Sequence, residues 1–351
     1  MTTFPSADFS LNKPGKLIAA LPAVLGFVPE KSLVLVTVDD GEMGCVMRVD
    51  LSEDMLEAVD RMAEVAASGG PDAAIAVIVD EDGASCQMCK DEHRQLGEML
   101  GIALRERDIE LLAAHVVDRV AVGGRWRCAD GCGSSGAIDD PSASPLAAAA
   151  VLDGRRLYLR RADLQEAIAV AEPLRTAALA AVIVDTAPSC GADQRPDVDA
   201  RADVEHAMAA AEAALEGRCP SDRELARLAC GLTDPRVRDT LYALAVGRDA
   251  APAESLWALL ARTLPEPWRV EALVLLAFSA YARGDGPLAG VSLEAALRCN
   301  ANHRMAGMLD QALQSGMRPE QIRELALTGY RLAKQLGVEL PPRRTFGRRA
   351  V

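Results

Sequence analysis

Four cysteines fall in two close pairs, Cys86-Gln87-Met88-Cys89 and Cys128-Ala129-Asp130-Gly131-Cys132. Four thiolates meeting tetrahedrally hold structural zinc, and a C-x-x-C spacing is what one ligand loop of such a centre uses. The C-x-x-x-C spacing of the second pair is compatible with the same role and less diagnostic. Free cysteine also packs as a small apolar side chain, which is the commoner outcome and needs no metal. A third use is redox. A thiol at the start of a helix has a lowered pKa, and Cys86 stands between a strand-like run and a helical one. The flanking residues usual in thioredoxins are absent.

A second group is acidic. Asp80, Glu81 and Asp82 follow the apolar run at residues 73–79. In an open α/β sheet, ligands bind beyond the C-terminal ends of the strands. Carboxylates there can hold Mg²⁺ for phosphoryl chemistry. Arg48, Asp80, Asp82 and Arg125 are therefore the expected lining of a ligand pocket at this edge. The chain lacks a Lys-Ser/Thr phosphate loop, and Asp-Glu-Asp-Gly is equally an ordinary solvated turn. Gly131-Cys132-Gly133-Ser134-Ser135-Gly136 spells G-x-G-x-x-G, but no helix opens within it, so it is not a dinucleotide site. The four histidines are scattered at 93, 115, 206 and 303. None stands beside a recognisable nucleophile.

These residues need a sheet to position them. Residues 33–38 and 45–49 are β-rich runs around Asp39-Asp40-Gly41, a hairpin signal. Ser52 is the expected N-cap of the next helix. Residues 73–79, AAIAVIV, read as a strand buried on both faces. A helix over 90–105, a strand within 111–122 and a return strand at 125–128 follow. The order β-β-α-β-α-β-β predicts an α/β sandwich with a mixed sheet, and residues 131–144 read as loop.

Beyond that loop the pattern is helical. Residues 178–184 fit helix or strand, and residues 187–199 form the clearest linker. Ser221 with Glu224 has capping-box spacing, and Asp234-Pro235 is an N-cap followed by proline. Residues 273–301 read as a helical hairpin turning at Gly284-Asp285-Gly286. Its small and large apolar residues (Leu273, Leu276, Ala277, Ala289, Leu293, Ala296) have tetratricopeptide-type spacing. Ala at the crossing lets two axes approach. Weaker units flank it over 237–265 and 305–327, the minimum for a repeat array. The expected organisation is a disordered segment 1–13, an α/β domain 14–186, a linker 187–199, a TPR-like helical domain 200–338 and a basic tail 339–351.

Composition excludes several classes. Of 351 residues, 51 are acidic and 38 basic, giving a net charge of −13. Such a surface repels a polyanion. Aromatics at 3% leave few base-stacking platforms, so no nucleic-acid partner is expected. Arg343, Arg344, Arg348 and Arg349 form a local exception in a terminal tail. No long apolar run predicts a membrane span, and the N-terminus lacks signal-peptide character. Nine cysteines without an export signal point to a reducing, cytoplasmic setting.

Several passages resemble the actinobacterial family called domain of unknown function 4192. They are Leu21-Pro22-Ala23-Val24-Leu25-Gly26-Phe27-Val28-Pro29-Glu30 with Ser32-Leu33-Val34-Leu35-Val36, and Arg48-Val49-Asp50-Leu51. Gly124-Arg125-Trp126-Arg127-Cys128, Ser144-Pro145-Leu146-Ala147-Ala148, Asp234-Pro235-Arg236-Val237-Arg238-Asp239 and Gly284-Asp285-Gly286 extend the resemblance. The family usually has a second cysteine pair here, with two adjacent cysteines and a proline after the first, where this chain has Cys132 alone. The resemblance implies a cytoplasmic protein and supplies no activity. The reading that follows is a non-enzymatic protein-interaction or scaffold protein using its helical half, with no cofactor beyond a structural zinc. The alternative is an enzyme or a small-ligand or metal binder using the sheet's C-terminal edge.

Overall fold

The computed structural model describes residues 13–344 except 53, 85, 153–154, 188–194 and 249. The expected N-terminal segment, most of the expected linker, and Arg348 and Arg349 lie outside the described residues. The chain divides into two compact units, residues 1–164 with 314–316, and residues 165–313 with 317–351.

The first unit opens with α1 (Pro14–Leu25), which ends on Gly26 at φ 75°. Strands β1 (Ser32–Asp39) and β2 (Glu42–Asp50) form a hairpin. Asp40 and Gly41 both take positive φ at its tip, 51° and 79°. That is the backbone a two-residue turn needs to match strand twist. Helix α2 (Met55–Ser68) starts from Asp54, not from the expected Ser52. All seven residues of β3 (Ala73–Val79) are buried. Helix α3 (Gln87–Arg105) starts a turn earlier than its apolar pattern suggests. It leads to β4 (Glu110–Val117), parallel to β3, and β5 (Arg125–Cys128) returns antiparallel. A sixth strand, β6 (Ser135–Ala137), pairs with β5 inside the segment expected to be loop. The sheet order is β2-β1-β3-β4-β5-β6.

The hydrophobic core lies where α2 and α3 cover one sheet face. Val59, Met62, Ala63 and Ala66 from α2, with Leu96, Leu100 and Leu104 from α3, meet Leu33, Leu35, Ala74, Ala76 and Ile78. The alternating residues Val34, Val36 and Val77 are buried as well, so the central strands are covered on both sides. Two short helices follow, α4 (Pro145–Leu152) and α5 (Arg161–Glu166).

The second unit is helical: α6 (Pro173–Thr186), α7 (Asp197–Leu215), α8 (Asp222–Leu232), α9 (Pro235–Leu241), a 3₁₀ turn (Tyr242–Val246), α10 (Ala250–Thr263), α11 (Arg269–Arg283), α12 (Gly286–Cys299), α13 (Arg304–Gln314) and α14 (Pro319–Leu336). The stretch 178–184 is helix. Because α6 packs on α8, the unit boundary falls at Leu164/Gln165 and not at the expected 186. The capping box of Ser221 and Glu224 and the Asp234 N-cap are both formed. The α11–α12 hairpin turns on Gly284 at φ 89°, and Asp285 accepts from the Leu288 amide at 3.1 Å. Ala277, Ala289, Leu293 and Ala296 are all buried. Helices α10, α11 and α12 pack neighbour to neighbour, as repeat units do. Helix α14 then folds back onto α9, α11 and the 3₁₀ turn, which closes a bundle around α11. Part of the expected tail is tied down: Arg343 pairs with Gly247, and the Arg344 amide donates to Val246 O at 2.8 Å. Among the described residues, no helix is long and apolar enough to cross a membrane.

Candidate functional site

Two clusters of reactive side chains lie in the sheet unit. The first begins at Asp80, the residue after β3, whose amide still donates to Val117 O of β4 at 2.9 Å. Parallel pairing thus fixes the Asp80 backbone at the strand ends. Its carboxylate Oδ2 lies 2.9 Å from Nε2 of His93 on α3, and Arg127 Nη2 on β5 lies 3.0 Å from His93 Nδ1. Guanidinium has no acceptor, so Nδ1 must offer its lone pair and Nε2–H must donate to Asp80. The result is a chain Arg127–His93–Asp80 in which the imidazole relays between opposite charges. His93 is 6% exposed and Asp80 17%, and Arg127 also reaches Ala84 O.

Cys86 is the N-cap of α3, and Cys89 lies in its first turn. Three residues apart, they share one face of that turn. Gly83 lies between this pair and Asp80. A Cβ on Gly83 would stand 1.9 Å from Asp80 Oδ2 and 3.2 Å from Cys89 Cβ.

The second cluster is built on the β4–β5–β6 edge. Register places His115 opposite Cys128, with Cys128 Sγ 3.8 Å from His115 Nδ1. After Cys128 the chain reverses through Gly131 and Gly133, at φ 79° and 84°. Asp130 Oδ1 accepts from the Cys132 amide at 3.0 Å, and the Cys128 amide donates to Ser134 O at 2.9 Å. Ligand atoms of Cys128, Asp130 and Cys132 all lie within 4.8 Å of one another. Among the described residues this is the one group of three or more His, Cys, Asp or Glu donors that converges so closely. Cys86 and Cys89 do not join it, so the four cysteines do not form one S₄ cage.

The expected pocket residues are dispersed. Asp82 pairs with Lys31 at 2.7 Å, both well exposed. Arg48 bonds Ser32 Oγ at 2.8 Å, pairs with Asp50 and lies over the Phe27 ring. Arg125 is exposed on β5. Asp80 thus meets His93 and Arg127 in place of Arg48 and Arg125. His115 was findable from sequence, because pairing 125–128 back along β4 sets it across from Cys128. His93 carried a weaker signal: it shares the buried α3 face with Leu96 and Leu100.

The model of the family described as domain of unknown function (DUF4192) matches residues 14–320. The chain belongs to that family. No curated protein and no solved structure matches the chain.

Membership in DUF4192 brings no chemistry with it, so the electrostatics of the two clusters must supply it. The Cys89 amide, then its thiol and the Met88 amide, lower the Cys86 pKa, although none reaches the geometry of a capping hydrogen bond. The Cys86 thiol in turn pushes Cys89 up to about 11. In the other cluster, burial first and then the Cys132 thiol and the Asp130 charge push Cys128 up to about 11. The Cys132 amide holds Asp130 below the usual carboxylate range. Burial lowers the His115 pKa, which keeps its lone pair available near neutrality.

Proposed function

We propose that this chain is a metal-binding protein that holds one zinc ion at the β4–β5–β6 edge. The observation that carries the reading is the convergence of Cys128, Asp130 and Cys132 ligand atoms within 4.8 Å. With Zn–S bonds of about 2.3 Å, ligand atoms of a tetrahedral centre stand about 3.5–4 Å apart. His115 Nδ1 lies 3.8 Å from Cys128 Sγ but stands outside the convergent group, which offers three ligands. Two thiols and a carboxylate suit zinc better than the oxygen-seeking Mg²⁺ or Ca²⁺. Three protein ligands leave one position of a tetrahedral centre for water or an outside group. The ion's charge would offset two thiolates and a carboxylate and brace the turn after β5.

The test is zinc content of the full chain after reconstitution with Zn²⁺ and removal of excess. One equivalent is expected, lost in Cys128→Ser and Cys132→Ser and retained in Cys86→Ser and Cys89→Ser. A wild-type chain that retains no zinc overturns the reading. So does zinc lost from the Cys86 and Cys89 variants, which would restore a four-cysteine centre.

The interaction role and cytoplasmic setting stand as the wider frame of this proposal. Eight cysteines among the described residues are free thiols, in keeping with a reducing compartment. Met308 on α13 and Leu325 on α14 are 53% and 48% exposed, apolar surface that a protein partner would cover. Met308→Asp and Leu325→Asp should then abolish co-purification of a specific partner with the full chain. Equal recovery from both variants would remove this support.

A further inference from the structure

The geometry points to Cys86 and Cys89 as a working dithiol that reduces disulfides by exchange, Cys86 attacking and Cys89 resolving. This goes beyond the metal reading and does not depend on it, since neither thiol belongs to the convergent Cys128 group.

Three placements support it. The two cysteines are three residues apart across the first turn of α3, the C-x-x-C spacing of a redox pair. They are unequal in setting: Cys86 caps α3, where unpaired amides favour a thiolate, and Cys89 lies inside the first turn. A partly buried carboxylate lies near the pair. Asp80 and Cys89 flank Gly83, where a Cβ would stand 1.9 Å from Asp80 Oδ2 and 3.2 Å from Cys89 Cβ. The charged groups facing the pair are Glu92 and Asp80. Met88, 76% exposed beside Cys86, offers apolar contact to an incoming substrate.

The exchange balances without any other reactant. Cys86 thiolate attacks one sulfur of the substrate disulfide, and the S–S bond breaks. The departing sulfur leaves as thiolate with the electron pair, and Cys86 is left in a mixed disulfide. The Cys86 thiolate charge beside Cys89 is then gone. Cys89 releases its proton to water and attacks the Cys86 sulfur, expelling the second substrate sulfur as thiolate, which takes up a proton. The protein dithiol is oxidised by two electrons, and the substrate disulfide becomes two thiols.

The test uses the full chain, reduced and freed of reductant, with oxidised glutathione as the probe. Wild type should form a Cys86–Cys89 disulfide by peptide mapping, with no glutathione retained on either residue. Cys89→Ser should stall as a glutathione adduct on Cys86, and Cys86→Ser should leave Cys89 unmodified. Serine is a favoured N-cap, so the latter variant keeps α3. Cys86 should also alkylate several-fold faster at neutral pH than the exposed Cys219 of the same molecule. Adducts forming on Cys89 or Cys219 before Cys86, or a Cys89→Ser chain with no adduct on Cys86, would overturn the proposal.

Discussion

Replacing His93 with leucine isolates the contribution of the Arg127–His93–Asp80 chain. Leucine fills much of the ring volume, so the cavity is small and the lost interactions dominate. Two hydrogen bonds to charged partners disappear, at 2.9 and 3.0 Å, each worth about 1.5–3 kcal/mol. Asp80 at 17% exposed recovers some hydration, and Arg127 keeps its approach to Ala84 O. The net loss should therefore lie near the low end of the sum, about 3 kcal/mol. Hydrogen exchange of the β3 and β4 amides reads the stability of the sheet unit without the helical one. Protection there should fall by roughly two powers of ten, as 1.4 kcal/mol is one power. His93→Gln keeps a donor for one partner and should recover about half of the loss. A separate readout is the ring itself: nitrogen NMR should find the His93 proton on Nε2. Unchanged protection in His93→Leu, or a proton on Nδ1 of the native ring, would refute the relay.

Two stability predictions concern the helical unit. Gly329→Ala in the interior of α14 would ordinarily gain about 1 kcal/mol in helix propensity. Here the added Cβ would lie 2.7 Å from Thr240 O and 3.0 Å from the Ala243 amide, so a loss of about 1–3 kcal/mol is expected in urea denaturation. Asp234 is nearly fully buried and pairs with Arg195 at 3.2 Å and Arg236 at 2.8 Å. Burial alone would raise its pKa, but hydrogen bonds from Arg236 and the charge of Arg195 outweigh burial and hold it below the ordinary value. A carboxylate depressed in the folded state stabilises above its unfolded pKa, and that contribution is lost as pH falls through the folded one. Melting temperature against pH should therefore drop below about pH 4, less steeply in Asp234→Asn.

What the sequence disclosed follows from how local each signal is. Seven consecutive apolar residues announce β3, and Asp-Gly between β-rich runs announces the first hairpin, because each needs its own neighbours alone. The α11–α12 hairpin is equally local, set by Gly284 and the Asp285 cap. Strand β6 is not. Ser-Gly-Ala has no strand preference and pairs because β5 offers an edge. Gly136 is needed there, as a Cβ would stand 2.9 Å from the Trp126 indole nitrogen. The unit boundary was misplaced for a similar reason: α6 is assigned by its packing on α8, and composition does not report packing. Asp80 was visible from the strand-end rule. Its partners His93 and Arg127 come from a helix and a strand 13 and 34 residues apart along the chain from their respective contacts, and nothing in local pattern joins them.

The cysteines show why a shared residue type does not imply a shared site. One pair lies beyond the end of β3 and the other starts on the last residue of β5, yet the first opens a helix and the second opens a glycine turn. Helix amides converge on Cys86 and favour its thiolate without any cation. At the turn, Cys128, Asp130 and Cys132 lie close together, and burial with the neighbouring Cys132 and Asp130 makes a Cys128 thiolate costly, a cost that a bound cation removes. The two proposals therefore make opposite demands on added zinc. Zinc should protect Cys128 and Cys132 from alkylation and leave the reactivity of Cys86 unchanged. Protection of all four together would mean that the two pairs act as one centre.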